Sequence, residues 1–373
     1  MRIVFVSNFL NHHQLPICLS LMKNRDIVFH FIATVPTPMV QLKLGYSNMN
    51  EEFDFVLRSY EEGMQSVALD LCSSCDVLLI GGDTSCEKYI PKDKRDDQIV
   101  FLCSERIFKK NIIKNIIRFI VYAHRRKNYK GLYLLSYGEY AYRDYVITGS
   151  FREKGFLWAY FTKTRQLPIL KHTHEKRVVE VVWAGRFVGW KHPEYCIVLA
   201  SHLKKKGSLF HITMIGDGEE KSKIERQIAN KGLTSFISCV GSLQPDSVYE
   251  IMDKADVYLF TSDSGEGWGV VLNEAMMSGC AIVASDLAGA TSSLLTDGIN
   301  GLVYPGRNKK EFLKKCDLLF SDMNEMERLG NNAYKSITEN WNADVASSRL
   351  LHLCRQIREG KTSSYNSGLC KKL

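Results

Sequence analysis

Two glutamates separated by seven residues, Glu266 and Glu274, frame the densest run of chemically capable side chains in the sequence. An apolar stretch, 257–260, enters the turn Thr261-Ser262-Asp263-Ser264-Gly265-Glu266-Gly267-Trp268-Gly269, and a second apolar stretch follows at 281–284. The pattern reads as strand, loop, helix and buried strand, with Glu266 on the loop and Glu274 about two turns into the helix. Gly265, Gly267 and Gly269 let the backbone approach a ligand closely. The helix start offers unpaired N–H groups to negative charge. Such a site suits a sugar joined to a diphosphate.

Three further elements stand around this turn. They are Trp183-Ala184-Gly185-Arg186 with Lys191 five residues beyond the arginine, Met214-Ile215-Gly216-Asp217-Gly218-Glu219, and Asp297-Gly298-Ile299-Asn300-Gly301-Leu302. With the two glutamates and the run Glu274-Ala275-Met276, they make residues 178–320 resemble the retaining glycosyltransferases of family four. The resemblance implies the GT-B fold, an α/β architecture of two facing Rossmann-like domains with a cleft between them. It implies a nucleoside-diphosphate sugar as donor, near Gly185, Gly216, Gly218, Gly265, Gly267, Trp268, Gly269 and Val270. By the same resemblance Glu274 accepts hydrogen bonds from the ribose hydroxyls, and Glu266 faces the donor sugar. Arg186 and Lys191 would clamp the diphosphate, because a leaving nucleoside diphosphate gains negative charge that fixed cations stabilise. The family usually has glycine after this lysine; His192-Pro193 stands there instead, which should stiffen the loop without removing the charge. No two aspartates sit at i and i+2. The D-x-D metal clamp of the other major glycosyltransferase fold is therefore absent, and no metal or other cofactor is expected. The cations and the helix dipole would do its work.

Alternating strand and helix patterns place these residues in parallel sheets covered on both faces. Strands read at 3–7, 27–33, 77–80, 99–103 and 131–135, then at 178–184, 211–215, 237–240, 257–260, 281–284 and 301–304. At about 100–200 residues per domain, 373 residues make two. The first is an acceptor-binding domain over 1–165, and the second a nucleotide-sugar-binding domain over 176–342. The resemblance sends a helix within 343–373 back onto the first. The polar, proline-broken stretch 164–175 marks the boundary. No apolar run approaches the ~20 residues that cross a bilayer, and no signal-peptide pattern opens the chain. Eleven scattered cysteines fit a reducing cytoplasm. The lone Cys72-x-x-Cys75 lacks the second ligand pair of a zinc site.

In the first domain, candidate chemistry sits where strands end, the ligand edge of open α/β sheets. Asn8-Phe9-Leu10-Asn11-His12-His13-Gln14 follows the first strand, Gly81-Gly82-Asp83-Thr84 a middle one, and Ser104-Glu105-Arg106 the next. A neutral imidazole at His13 suits hydroxyl binding or proton transfer, although an ordinary loop residue would read the same. Many members of the family place a histidine after the mid-domain strand; Glu105 stands in that place and would orient the acceptor hydroxyl.

Residues 106–130 carry nine Lys or Arg and no Asp or Glu, while the whole chain is only +8. Ile112, Ile113, Ile116, Ile117, Ile120 and Val121 make one helical face, and Lys110, Lys114 and Arg118 another. The expectation is an apolar face packed on the sheet and a wet basic rim that attracts anionic lipid. No recognised nucleic-acid motif accompanies the charge. The whole reads as a cytoplasmic, retaining, metal-independent glycosyltransferase, peripheral on the inner membrane face. It would act on a glycan or lipid-linked acceptor in surface polysaccharide synthesis. A sugar-nucleotide epimerase of the same fold, or a non-catalytic sugar-nucleotide-binding protein, remains the alternative.

Overall fold

The computed structural model describes residues 1–43, 45–109, 111–167 and 178–373. The expected boundary stretch lies largely outside the described residues, as does Lys110. The chain forms two compact units, Met1–Lys163 with Asn340–Leu373, and Thr164–Glu339.

Unit 1 holds seven parallel strands: β1 (Arg2–Ser7), β2 (Val28–Ala33), β3 (Val56–Arg58), β4 (Val77–Gly81), β5 (Ile99–Ser104), β6 (Tyr133–Tyr137) and β7 (Gly155–Trp158). Their order is β3-β2-β1-β4-β5-β6-β7. Strands β4 and β5 are buried along their whole length, as apolar runs are when helices cover both faces. The sequence pattern omits β3 and β7, the short strands at the two edges of the sheet. The helix Ala343–Arg358 packs on the helix Leu15–Met22 and buries Leu350, Leu353 and Cys354. Asp344 fixes the contact, accepting from Ser20 Oγ at 2.6 Å and Lys23 Nζ at 2.8 Å. Beyond it, Cys370 N donates to Leu157 O at 2.7 Å and Leu157 N to Lys371 O at 2.9 Å, which ties the chain's last residues to β7.

Among the described residues, unit 2 holds six parallel strands: β8 (Val179–Ala184), β9 (Phe210–Ile215), β10 (Ile237–Gly241), β11 (Val257–Phe260), β12 (Ala281–Ser285) and β13 (Leu302–Tyr304). Their order is β10-β9-β8-β11-β12-β13. Trp183, Phe187, Tyr195, Tyr304 and Phe312 anchor its core. Strand order reverses between β1 and β4 in one unit and between β8 and β11 in the other. Loops diverge at such switch points and leave a crevice at the carboxyl ends.

The helix Ile112–Arg125 overturns one expectation. Its isoleucine face does not pack on the sheet: no residue of this helix is buried, and Ile113 is 73% exposed. The polar side faces inward because the unit offers it polar partners, chiefly Glu87 and the backbone at Lys109.

Candidate functional site

In unit 2 the loops after β8 and β11 are locked together. Trp183 Nε1 donates to Thr261 Oγ1 at 2.9 Å, the Thr261 hydroxyl donates to the Lys191 carbonyl at 2.5 Å, and Asp263 N donates to Trp190 O at 2.8 Å. The charged side chains follow their backbones. Lys191 Nζ lies 2.5 Å from Glu266 Oε2, which also accepts from Ser262 Oγ at 3.1 Å. Both partners are largely shielded from water, so salt screens this pair less than a surface pair. Arg186 is exposed and rests its guanidinium 5.4 Å over the Trp190 ring. Arg186, Lys191 and Glu266 thus converge at the β8/β11 switch point.

Glu274 lies in the first turn of the helix Val271–Met277, not two turns in, because the chain stays irregular through Gly269 and Val270 caps the helix. Burial pushes the Glu274 carboxyl up to about 7, against the opposing pull of Arg165 and Lys191. Sequence reasoning missed Arg165, which Asp253 holds through two 2.5 Å hydrogen bonds, with Ser278 Oγ at 2.7 Å. Trp268 is 1% exposed and donates its Nε1 to Asn273 Oδ1 at 2.9 Å, so its indole belongs to the core beneath the loop. Gly216 and Gly218 also have an internal reason. A Cβ at Gly216, whose φ is +128°, would meet the Gly185 carbonyl oxygen, and one at Gly218 would meet that of Phe187. Gly265 packs against Trp190 in the same way, and Gly267 is buried. These glycines bring loop against loop.

His192 stands in the left-handed region at φ 50°, ψ 54°, a conformation glycine adopts freely and histidine does not. Two carboxylates hold it there: Nε2 lies 3.0 Å from Asp263 Oδ2 and Nδ1 lies 2.8 Å from Glu194 Oε1. Those hydrogen bonds raise the imidazole to about 9, Asp263 contributing most. Asp263 is 1% exposed and also accepts from Arg307 Nη2 at 2.6 Å and from Gly265 N at 2.8 Å. It therefore joins the lysine loop to the glutamate loop. The one sequence signal for this network is histidine at the glycine position.

In unit 1 a cavity of about 440 Å³ opens at the carboxyl ends of β1, β4 and β5. Asn8, Asp83, Glu105 and Arg106 line it at the strand ends, and Lys109, Arg118 and Tyr122 form another wall. Tyr137 and Tyr160, also in the lining, stack at 4.3 Å. Lys109 Nζ lies 4.0 Å from Glu105. Arg106 is committed to the buried Asp144 at 3.4 Å. The cavity includes Glu105 but not His13. His13 lies against His12 with ring centroids 3.7 Å apart and planes tilted by 49°, and burial together with that neighbour holds its imidazole well below its ordinary value.

Two parallel-sheet α/β units with polar loops at each switch point define the GT-B class of fold. The Anabaena HepE protein, solved in complex with UDP and glucose, is similar with a TM-score of 0.67 over 94% of this chain and 98% of that one, at 13% identity. Residues 167–336 match the model of the glycosyl transferases group 1 family. An uncharacterized glycosyltransferase of Methanocaldococcus jannaschii is 27% identical over 220 residues, 53% of this chain and 55% of the relative. Alpha-D-kanosaminyltransferase of Streptomyces kanamyceticus is 25% identical over 177 residues, 48% of this chain and 45% of the relative. The chain thus spans about half the length of these curated relatives.

Proposed function

We propose that the chain is a retaining, metal-independent glycosyltransferase. It moves a sugar from a nucleoside diphosphate to a hydroxyl of a glycan or lipid-linked saccharide in surface polysaccharide synthesis. The observation that carries this reading is the meeting of Arg186, Lys191 and Glu266 at the β8/β11 switch point, inside the family-matching stretch. Arg186 and Lys191 stabilise the departing diphosphate, the step in which negative charge develops. Glu274 accepts the ribose hydroxyls, and Glu266 faces the sugar while holding Lys191 in position. The C1–O bond to the diphosphate breaks, a bond to the acceptor oxygen forms on the same face, and the hydroxyl's proton passes to the departing phosphate oxygen. In unit 1 the cavity receives the acceptor, with Glu105 orienting its hydroxyl. The enzyme works in the cytoplasm, where the basic stretch 106–130 draws it to the anionic inner membrane face.

Incubation with a labelled sugar nucleotide, with and without acceptor, tests the reading. Label should move to the acceptor, and NMR of the linkage should show the donor's anomeric configuration. Label in a new sugar nucleotide without acceptor would make the protein an epimerase, and an inverted linkage would overturn retention.

A further inference from the structure

The helix Ile112–Arg125 is amphipathic and wears its polar side inward. Asn115 Oδ1 accepts from Lys109 N at 2.9 Å and from Arg118 Nη1 at 3.2 Å, Tyr122 meets Tyr145 edge-on at 5.7 Å, and Arg125 Nη1 lies 3.2 Å from Glu87. At 3.6 residues per turn these four side chains share one side of the helix, and Ile113, Ile116, Ile117 and Ile120 fall opposite. Those isoleucines are 73, 57, 58 and 62% exposed, with Ile112 at 76% beside them. Phe119 and Val121 widen the band. Contiguous apolar patches of this kind mark a surface that something covers.

Charge selects the cover. The stretch 106–130 has no acid, and Lys114, Arg126, Lys127 and Lys130 stand exposed around the apolar band. A second copy docked face to face would set these cations against their own kind. An anionic bilayer satisfies both halves of the pattern, acyl chains for the isoleucines and headgroups for the cations. With 14 residues the helix is too short to cross, since spanning takes ~20. It therefore lies in the interface plane.

The same helix walls the unit 1 cavity. Arg118 and Tyr122 on its inner side line that space, together with Lys109 just before it. We propose that Ile112–Arg125 inserts its isoleucine face into an anionic bilayer, bringing the adjacent cavity to headgroup level. The acceptor taken there is a lipid-linked saccharide that stays in the bilayer. The docking half stands on the helix alone; the acceptor half rests on the glycosyltransferase reading.

Flotation with phosphatidylcholine vesicles, with and without phosphatidylglycerol, tests the docking. The parent should float with the anionic vesicles only. Ile116→Glu with Ile120→Glu should weaken that binding at least about tenfold, because the apolar area is lost, while thermal unfolding stays unchanged at these exposed sites. A parent that ignores anionic vesicles, or a double variant that floats like the parent, overturns the docking. So does a parent that is dimeric by sedimentation velocity, floats with neither vesicle, and becomes monomeric in the double variant. For the acceptor half, the double variant should lose transfer to a long-chain lipid-linked acceptor in vesicles yet keep transfer to a short water-soluble one. Equal loss on both overturns it. No transfer by the parent to either sinks the glycosyltransferase reading and leaves the flotation result standing.

Discussion

Lys191 presents a charge and also fastens a loop, since its partner Glu266 sits on the neighbouring strand's turn. On the proposed reading, Lys191→Ala would remove a charge-assisted contact to the diphosphate worth about 1.5–3 kcal/mol. Turnover should fall at least about tenfold in steady-state assays, and so should that of Arg186→Ala; near-parent rates in both would refute the clamp. Glu274 carries a pH signature. With its carboxyl near 7, the residue gains its acceptor charge as pH rises through that value. Nucleoside diphosphate affinity, read by calorimetry, should strengthen between about pH 6 and pH 8. Glu274→Gln should bind more weakly and lose the part of this rise that Glu274 supplies; equal slopes would place the charge elsewhere. His192 acts on stability in the opposite sense. Its folded value of about 9 exceeds the free value of 6.5, so the contribution is full below 6.5 and is lost as pH rises through 9. It amounts to about 3 kcal/mol at most. The denaturation midpoint of the parent should drop across that window, and His192→Asn, which tolerates the left-handed backbone, should start lower and drop less. Glu266, Glu274, Arg186 and Lys191 were legible in the sequence because each has its place in a spaced motif. Asp263 and Arg307 were not, since their partners lie 71 and 44 residues away and only the fold brings them together.

At the scale of elements, legibility followed motif context. The short strands β11 and β13 border spaced motifs and were read, whereas the equally short edge strands β3 and β7 border none and were not. Periodicity found the helix Ile112–Arg125 but named the wrong inner face. A period says that two faces differ, and only the partners decide which turns inward; here Glu87 took Arg125, and the backbone at Lys109 took Asn115. The helix Ala343–Arg358 offers a cleaner case. Asn342 caps it by accepting from Val345 N at 2.9 Å. Asn342→Ala should cost about 1 kcal/mol of stability in calorimetric unfolding, with nucleoside diphosphate affinity unchanged. Loss of that affinity would mean the helix supports more than the first unit's packing.

The whole molecule is built of two units, each with its own sheet, core and polar switch point. The charge divides as well: the nine cations of 106–130 exceed the chain's net +8, so the rest is close to neutral. On the proposed reading a nucleoside diphosphate, held by Arg186 and Lys191, should nonetheless read out in unit 2. At about 100 times its dissociation constant a ligand stabilises what it binds by ~2.7 kcal/mol. Screening UDP, GDP and ADP by thermal unfolding should find one base that gives a clear upward shift. Hydrogen exchange with that nucleotide should then show the strongest protection in the loops around Arg186 to Lys191 and Ser262 to Glu274. Those are the segments whose backbone and side chains already interlock at the β8/β11 crevice. Protection centred instead on the unit 1 cavity, at Asp83 and Glu105 to Lys109, would move the donor to the first unit and reverse the division of labour between the two sheets.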